Sequence, residues 1–174
     1  MTTDASSQKP SHPCFAMVYD PATALIERTL LRPHREYLVA DLEGAVLDLG
    51  AGTGAMFPYF GAVESDVTEF HAIEPDPHMR RQAEEQARTH SFDVTIDDSP
   101  AESLPYRDDT FDVVIASMVF CTIPDVETAL SEVSRVLKPG GDFRFFEHVA
   151  DDGWRGRVQR VLAPLWKQLA GGCH

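Results

Sequence analysis

The chain has 174 residues, 43% of them apolar and 25% charged, and a formal net charge of −13 from 28 acidic against 15 basic side chains. That length is about one domain, enough to bury a core without disulfides or metal, and no apolar run approaches the ~20 residues of a membrane span. An acidic surface repels nucleic-acid phosphates and anionic lipid, which argues against nucleic-acid and membrane-surface partners, and suits a high-salt cytoplasm where screening removes most self-repulsion.

The start, MTTDASSQKPSHP, is polar and proline-bearing and lacks the basic-then-apolar layout of a signal peptide. Residues 1–14 are expected to form a disordered tail, residues 15–174 a single domain, and the protein to be cytoplasmic. The cysteines, Cys14, Cys121 and Cys173, are odd in number and widely spaced, so no disulfide framework is expected. No Cys-x-x-Cys pair occurs, the histidines show no ligand spacing, and no metal site is expected; Cys173-His174 could bind a stray metal but reads better as a chance terminal pair.

From Ala16 to Leu42 apolar residues recur at helical spacing (Leu25, Ile26, Leu30, Leu31, Leu38, Val39, Leu42), and Pro33 divides the segment into two helices. Ala45–Leu49 reads as a strand, the glycine loop follows, and Ala55–Phe60 is a weak helix. Val67–Pro75 reads as a strand and Asp76–His90 as a helix with an aspartate at its start. Ser91–Asp97 is a strand, followed by a loop and then Thr110–Phe120, a buried β-branched strand. Asp125–Lys138 is an amphipathic helix with Val126, Ala129, Leu130, Val133, Val136 and Leu137 on one side, ended by Pro139-Gly140-Gly141. Asp142–Val149 is a fifth strand, and Trp154–Ala170 a last helix disturbed at Pro164. Strands alternating with helices predict a doubly wound α/β domain, with a mostly parallel sheet of about five strands and helices on both faces. Ligands in such sheets bind beyond the carboxyl ends of the strands.

The glycine loop after the first strand, VLDLGAGTG (Val46–Gly54), therefore marks the expected site. Gly50-x-Gly52-x-x-Ala55 satisfies the dinucleotide fingerprint, and Glu74 ends the second strand where a ribose-binding acid belongs. Asp48, two residues before Gly50, favours a different ligand. Its carboxylate opposes a pyrophosphate dianion but welcomes an ammonium or a sulfonium. S-adenosylmethionine carries a nucleoside, a cationic sulfur, an amino-acid end and no phosphate, and Glu74 can accept both ribose hydroxyls.

From about Phe15 to Val149 the sequence resembles the class I S-adenosylmethionine-dependent methyltransferases, which have a Rossmann-like fold. VLDLGAGTG is similar to their first motif, AIEPDPHM to the acidic end of the second strand, SPAESLPYRDDTFDVVIAS to the third-strand loop and fourth strand, and RVLKPGG to the turn before strand five. Within them the chain resembles the ubiquinone/menaquinone-biosynthesis-like (type 11) group. VFCTIPD, FFEHV and PLWKQLAGGCH are similar to its small-molecule and thiol methyltransferase branch.

The resemblance implies that Asp48, Gly50 and Gly52 line the methionine end, with Ala51 and Gly54 in the same loop and the backbone of Ser117 nearby. Glu74 holds the ribose, with Pro75 and Asp76 beside it. Ala101 offers its backbone to the adenine edge, with Glu102 adjacent; Pro100 replaces the aspartate many relatives have there, leaving Asp98 or Ser99 to substitute. Met79 is either an adenine contact or a helix-face core residue. His148, at the exit of strand five, is the candidate base for an acceptor that is not already deprotonated, the alternative being a histidine satisfied by local hydrogen bonds. Tyr19 is either a lid over the cofactor or a core tyrosine. Cys121 reads as a small buried hydrophobe.

The expected activity is methyl transfer from S-adenosylmethionine to a small-molecule acceptor: a thiol, a phenol or a quinone-like compound. The family's last two strands have no counterpart before His174. FRFFEHV then becomes an edge strand, for which a homodimer involving Trp154–Leu169 is expected to provide cover. The same feature leaves open a cofactor-binding but catalytically incomplete assembly module, and the fingerprint leaves an NAD(P)-dependent oxidoreductase as a weaker alternative.

Overall fold

The computed structural model describes residues 31–61, 66–90 and 93–147. In chain order they form α1 (Arg32–Leu38), β1 (Glu43–Leu49), α2 (Phe57–Phe60), β2 (Asp66–Ile73), α3 (Pro77–Thr89), β3 (Thr95–Asp97), β4 (Phe111–Ser117), a 3-10 turn (Phe120–Thr122), α4 (Val126–Val136) and β5 (Leu137–Phe146). The strands make one sheet in the order β3-β2-β1-β4-β5, and every pairing is parallel.

β1 lies at the centre, and Ala45 to Leu49 are all buried because helices cover both faces. Alternate residues serve opposite layers. Val46 joins Leu38, Val39, Phe57, Ala83 and Ile115 on the face of α1 and α3. Leu47 and Leu49 join Ala101, Leu104, Phe111, Val114, Ala129 and Val133 on the face of α4. The chain turns one way from β1 to β2 and the other way at β4, so the carboxyl ends of β1 and β4 flank the switch point where doubly wound sheets bind ligands.

Local chemistry sets the element ends. Pro33 lies in the first turn of α1, where its missing N–H costs nothing. Asp76 caps α3, its Oδ1 accepting the N–H groups of His78 and Met79 at 2.8 and 3.2 Å. Asp125 caps α4 by accepting the Thr128 N–H at 3.0 Å.

Several expected boundaries are corrected. Pro139-Gly140-Gly141 does not lie between helix and strand: α4 stops at Val136, and the three residues form a bulge inside β5. Leu137 pairs with Phe111 and Asp142 with Val113, so Lys138–Gly141 stand opposite Asp112 alone. The fourth strand ends at Ser117, not Phe120, because Met118 takes a left-handed φ of 57° and turns the chain. Within the expected Ser91–Asp97 strand, Asp93 and Val94 are not extended pairs and β3 starts at Thr95. On α4, Val126 and Leu130 are exposed at 36% and 41%, so the buried stripe is narrower than the sequence pattern: Ala129, Val133 and Val136.

Candidate functional site

The loop Gly50–Gly54 leaves the end of β1 with Gly50, Gly52 and Gly54 at φ of 76°, 59° and 85°. At Gly50 the need for glycine is both conformational and steric. A Cβ there would stand 2.2 Å from Cγ2 of Val119, in the loop after β4. At Gly54 a Cβ would stand 3.1 Å from the Ala83 Cα, so α3 lies directly against the loop. Ala51 is buried, its N–H bonded to the Ile73 carbonyl at 2.9 Å, which ties the loop to the end of β2.

Glu74 follows β2 and is 7% exposed. Its Oε2 accepts the Gly52 N–H at 2.9 Å and its Oε1 accepts the Asp76 N–H at 2.8 Å. Each oxygen keeps a further lone pair. Arg80 donates to the Glu74 carbonyl at 2.8 Å. Pro75 is half-buried between the two acids. Met79, in the first turn of α3, hangs over the loop: its Cε lies 3.6 Å from where a Gly52 Cβ would be.

Asp48 is 2% exposed in β1, on the α1 side of the sheet, and its Oδ2 has no hydrogen-bond partner among the described residues. Burial pushes its carboxyl up to about 7; the Arg35 guanidinium opposes the rise and the Glu74 charge adds to it. Burial likewise pushes Glu74 up to about 7, against the N–H groups of Asp76 and Gly52, which favour its charged form. Two buried carboxyl groups thus flank one glycine loop, and one of them has an oxygen with no hydrogen bond from the described residues. That is a setting for hydroxyl donors at Glu74 and, at Asp48, for a cation in preference to a phosphate.

Ala101 is buried in the same cluster as Leu49 and Ile73, at the ends of β1 and β2. Glu102 turns its Oε1 toward α4, 3.3 Å from the Asp125 N–H. Ser117 ends β4, and Arg35 Nη1 donates to its Oγ at 3.5 Å. Asp98 is exposed and Ser99 half-buried. Cys121, in the 3-10 turn, is half-buried with its Sγ 4.0 Å from the Met118 carbonyl. Tyr19 and His148 lie outside the described residues, as does Trp154–Leu169.

Three groups around the site escaped the sequence reading. Arg35 is 4% exposed on α1; it falls on one helix face with Leu31 and Leu38, and a charge within an apolar stripe is the signal that marks it. Glu147, just past β5, accepts from Val119 N–H at 2.6 Å and Phe120 N–H at 3.0 Å with the same Oε1. Arg135 of α4 donates to Glu132, Asp108 and the carbonyls of Leu104 and Tyr106, while Glu132 accepts the Leu104 N–H at 2.8 Å. Among the described residues no helix is long and apolar enough to cross a membrane, and no group of three or more His, Cys, Asp or Glu could hold a metal ion.

A family described as a methyltransferase domain matches residues 47–145, from β1 to β5. Human thiol S-methyltransferase TMT1A is 30% identical over 165 residues, 92% of this chain and 66% of that protein. The sarcosine/dimethylglycine N-methyltransferase of Halorhodospira halochloris is 37% identical over 129 residues, 72% of this chain and 46% of that protein. Among solved structures, YcgJ of Bacillus subtilis superposes with a TM-score of 0.67 at 26% identity, covering 83% of this chain and 61% of that one. The chain spans about half to two thirds of the length of the curated thiol methyltransferases it matches.

Proposed function

The chain belongs to the class I S-adenosylmethionine-dependent methyltransferases, and from that premise we propose that it methylates a small-molecule acceptor: a thiol, a phenol or a quinone-like compound. The observation that carries the reading is the pair of buried carboxyl groups, Asp48 and Glu74, flanking the glycine loop. Asp48, not Glu74, argues against the nicotinamide alternative, whose pyrophosphate would meet its carboxylate beside the glycine loop.

When bound, S-adenosylmethionine supplies a methyl group already activated on a sulfonium. The work left to the chain is to bind and orient, and alignment accounts for most of the acceleration in such a transfer. In this proposal the free lone pairs of Glu74 take the ribose hydroxyls. Asp48 with the backbone of Gly50, Ala51, Gly52 and Ser117 takes the methionine end, with Gly54 holding the loop against α3. Ala101 and Met79 border the adenine, with Glu102 and Pro75 behind them. Arg35 beside Asp48 keeps a carboxyl otherwise neutralised by burial able to ionise when a cation arrives. His148, one residue beyond Glu147, is the proposed base for acceptors that still hold their proton, and Tyr19 the proposed lid.

A small, partly apolar acceptor suits a net charge of −13, which disfavours tRNA or rRNA. Thiol and amine methyltransferases both stand among the relatives. The proposal also includes a homodimer across β5, the last strand of the sheet among the described residues, where Phe145 is 61% exposed. A monomer in sedimentation equilibrium at high concentration would overturn that part.

Isothermal titration with S-adenosylmethionine, S-adenosylhomocysteine and NADH, at low and high salt, tests the main reading. Binding of both adenosyl ligands without NADH is expected. A screen of thiols, phenols and amines with mass detection of the methylated product then identifies the acceptor class. Binding of NADH alone would reverse the assignment.

A further inference from the structure

We infer that Glu147 is a positioning residue: its carboxylate holds the Met118–Phe120 turn so that Val119 sits on Gly50 and forms a fixed wall of the cofactor cleft. The inference rests on the reading of the glycine loop as the cofactor site.

The turn after β4 is not a conformation the chain adopts cheaply. Met118 has a φ of 57°, in the left-handed region that a long side chain rarely enters. Such a residue persists only where its surroundings over-determine it. Here they do. The Met118 N–H bonds to the Phe146 carbonyl at 2.8 Å, the last rung between β4 and β5. The next two N–H groups, of Val119 and Phe120, converge on Glu147 Oε1 at 2.6 and 3.0 Å. Three consecutive amides are thus held by two consecutive residues of the other strand's exit, two of them by charge-assisted bonds.

The held turn reaches the site through one contact. Val119 Cγ2 fills the space where any side chain at position 50 would begin. Gly50 is therefore covered on that side by Val119, and the opening beside the backbone of the loop is set by where Val119 stands. Released from Glu147, two half-buried amides lose their partner, Met118 is free to leave its left-handed conformation, and Val119 lifts from Gly50. Glu147 has no need to touch cofactor or acceptor to exert this control.

The test is a double-mutant cycle on S-adenosylhomocysteine affinity, by titration calorimetry, with Glu147→Ala, Glu147→Gln, Glu147→Asp, Val119→Ala and Glu147→Ala/Val119→Ala. Glu147→Ala is expected to weaken binding roughly tenfold, the effect of unpairing two half-buried amides. Glu147→Gln keeps an acceptor oxygen in place and is expected to stay within about threefold of the unsubstituted protein. Val119→Ala removes the wall itself, and in that background Glu147→Ala is expected to cost less than about threefold, because contacting residues couple. If Glu147→Ala does not fold by circular dichroism, Glu147→Asp, whose shorter side chain draws the oxygen back from both amides, takes its place in the cycle.

Three outcomes overturn the inference. One is an unchanged affinity in Glu147→Ala or its replacement, another is a loss in Glu147→Gln as large as in Glu147→Ala, and the third is a loss undiminished by Val119→Ala. Absence of S-adenosylhomocysteine binding by the unsubstituted protein is a different result: it overturns the cofactor reading, and the inference with it.

Discussion

Glu74 accepts the Gly52 N–H at 2.9 Å with one carboxylate oxygen while the other accepts the Asp76 N–H at 2.8 Å. One side chain therefore sets the glycine loop against the start of α3 and still has lone pairs to offer. Glu74→Ala is expected to raise the dissociation constant for S-adenosylhomocysteine about a hundredfold, roughly 2.7 kcal/mol. Glu74→Gln, which loses the charge and keeps one acceptor oxygen, is expected to fall between. Calorimetric titration of the three proteins measures both.

Asp48 and Glu74 are both pushed up to about 7 from ordinary values of 3.8 and 4.5. An acid whose pKa is raised by folding holds more protons in the native state than in the unfolded state between those limits. Stability contributed by the neutral form is therefore complete below about pH 4 and is lost as pH rises through about 7. Asp112, Asp125 and Glu132 are held low by their partners and act in the opposite sense, losing their contribution as pH falls. The informative quantity is thus a difference. Asp48→Asn is expected to gain on the unsubstituted protein in thermal stability as pH rises across that window, and to bind the cationic ligand more weakly above it. Melting curves at several pH values check the first expectation; a melting difference independent of pH would refute it.

Gly50→Ala meets Val119 and a φ of 76° together. The expected destabilisation is about 1–3 kcal/mol, read from the midpoint of urea unfolding. Loss of S-adenosylhomocysteine binding is expected to exceed the loss of stability, because Val119 must move to admit the methyl group.

Arg135→Ala removes hydrogen bonds from the carbonyls of Leu104 and Tyr106 and leaves Glu132 without its cation. About 2 kcal/mol of stability is expected to go, nearly all from the two carbonyls and Glu132, since the partner Asp108 is 73% exposed and such pairs contribute little. Amide hydrogen exchange is expected to quicken across residues 101–108 before it does so in β1. Uniform acceleration throughout the sheet would show that the effect is not local.

With a net charge of −13, self-repulsion opposes the compact state at low ionic strength. The melting temperature is expected to rise between about 0.1 and about 2 M KCl as the Debye length shrinks. A flat or falling response would count against a high-salt origin.

β1 and β4 were legible because central strands, buried on both faces, are written as nearly continuous apolar runs, Ala45–Leu49 interrupted only by Asp48 and Val113–Ala116 without a break. The cap at Asp76 and the loop at Gly50 were legible because their chemistry is local. The bulge at Pro139–Gly141 was not, since it is defined by Asp112 on the neighbouring strand. Nor were Arg35 and Glu147, whose partners lie 82 and 27 to 28 positions away in the chain. Val126 and Leu130 misled because helical periodicity reports one apolar side and not how wide a strip the sheet covers. The roles given to Tyr19 and His148 concern residues outside those described.

The placement of β1 between β2 and β4 has a consequence for the chain while it is being made. β1 and β2 emerge from the ribosome early, but the second flank of β1 is closed only by Val113–Ala116. Until that stretch has been synthesised, Val46–Leu49 presents an unpaired strand edge, a row of free N–H and C=O groups of the kind that recruits other chains. Stalling within α3 or the loop that precedes β4 therefore holds the nascent protein in its most aggregation-prone form, and the glycine loop gains its Val119 wall only after Glu147 has been synthesised.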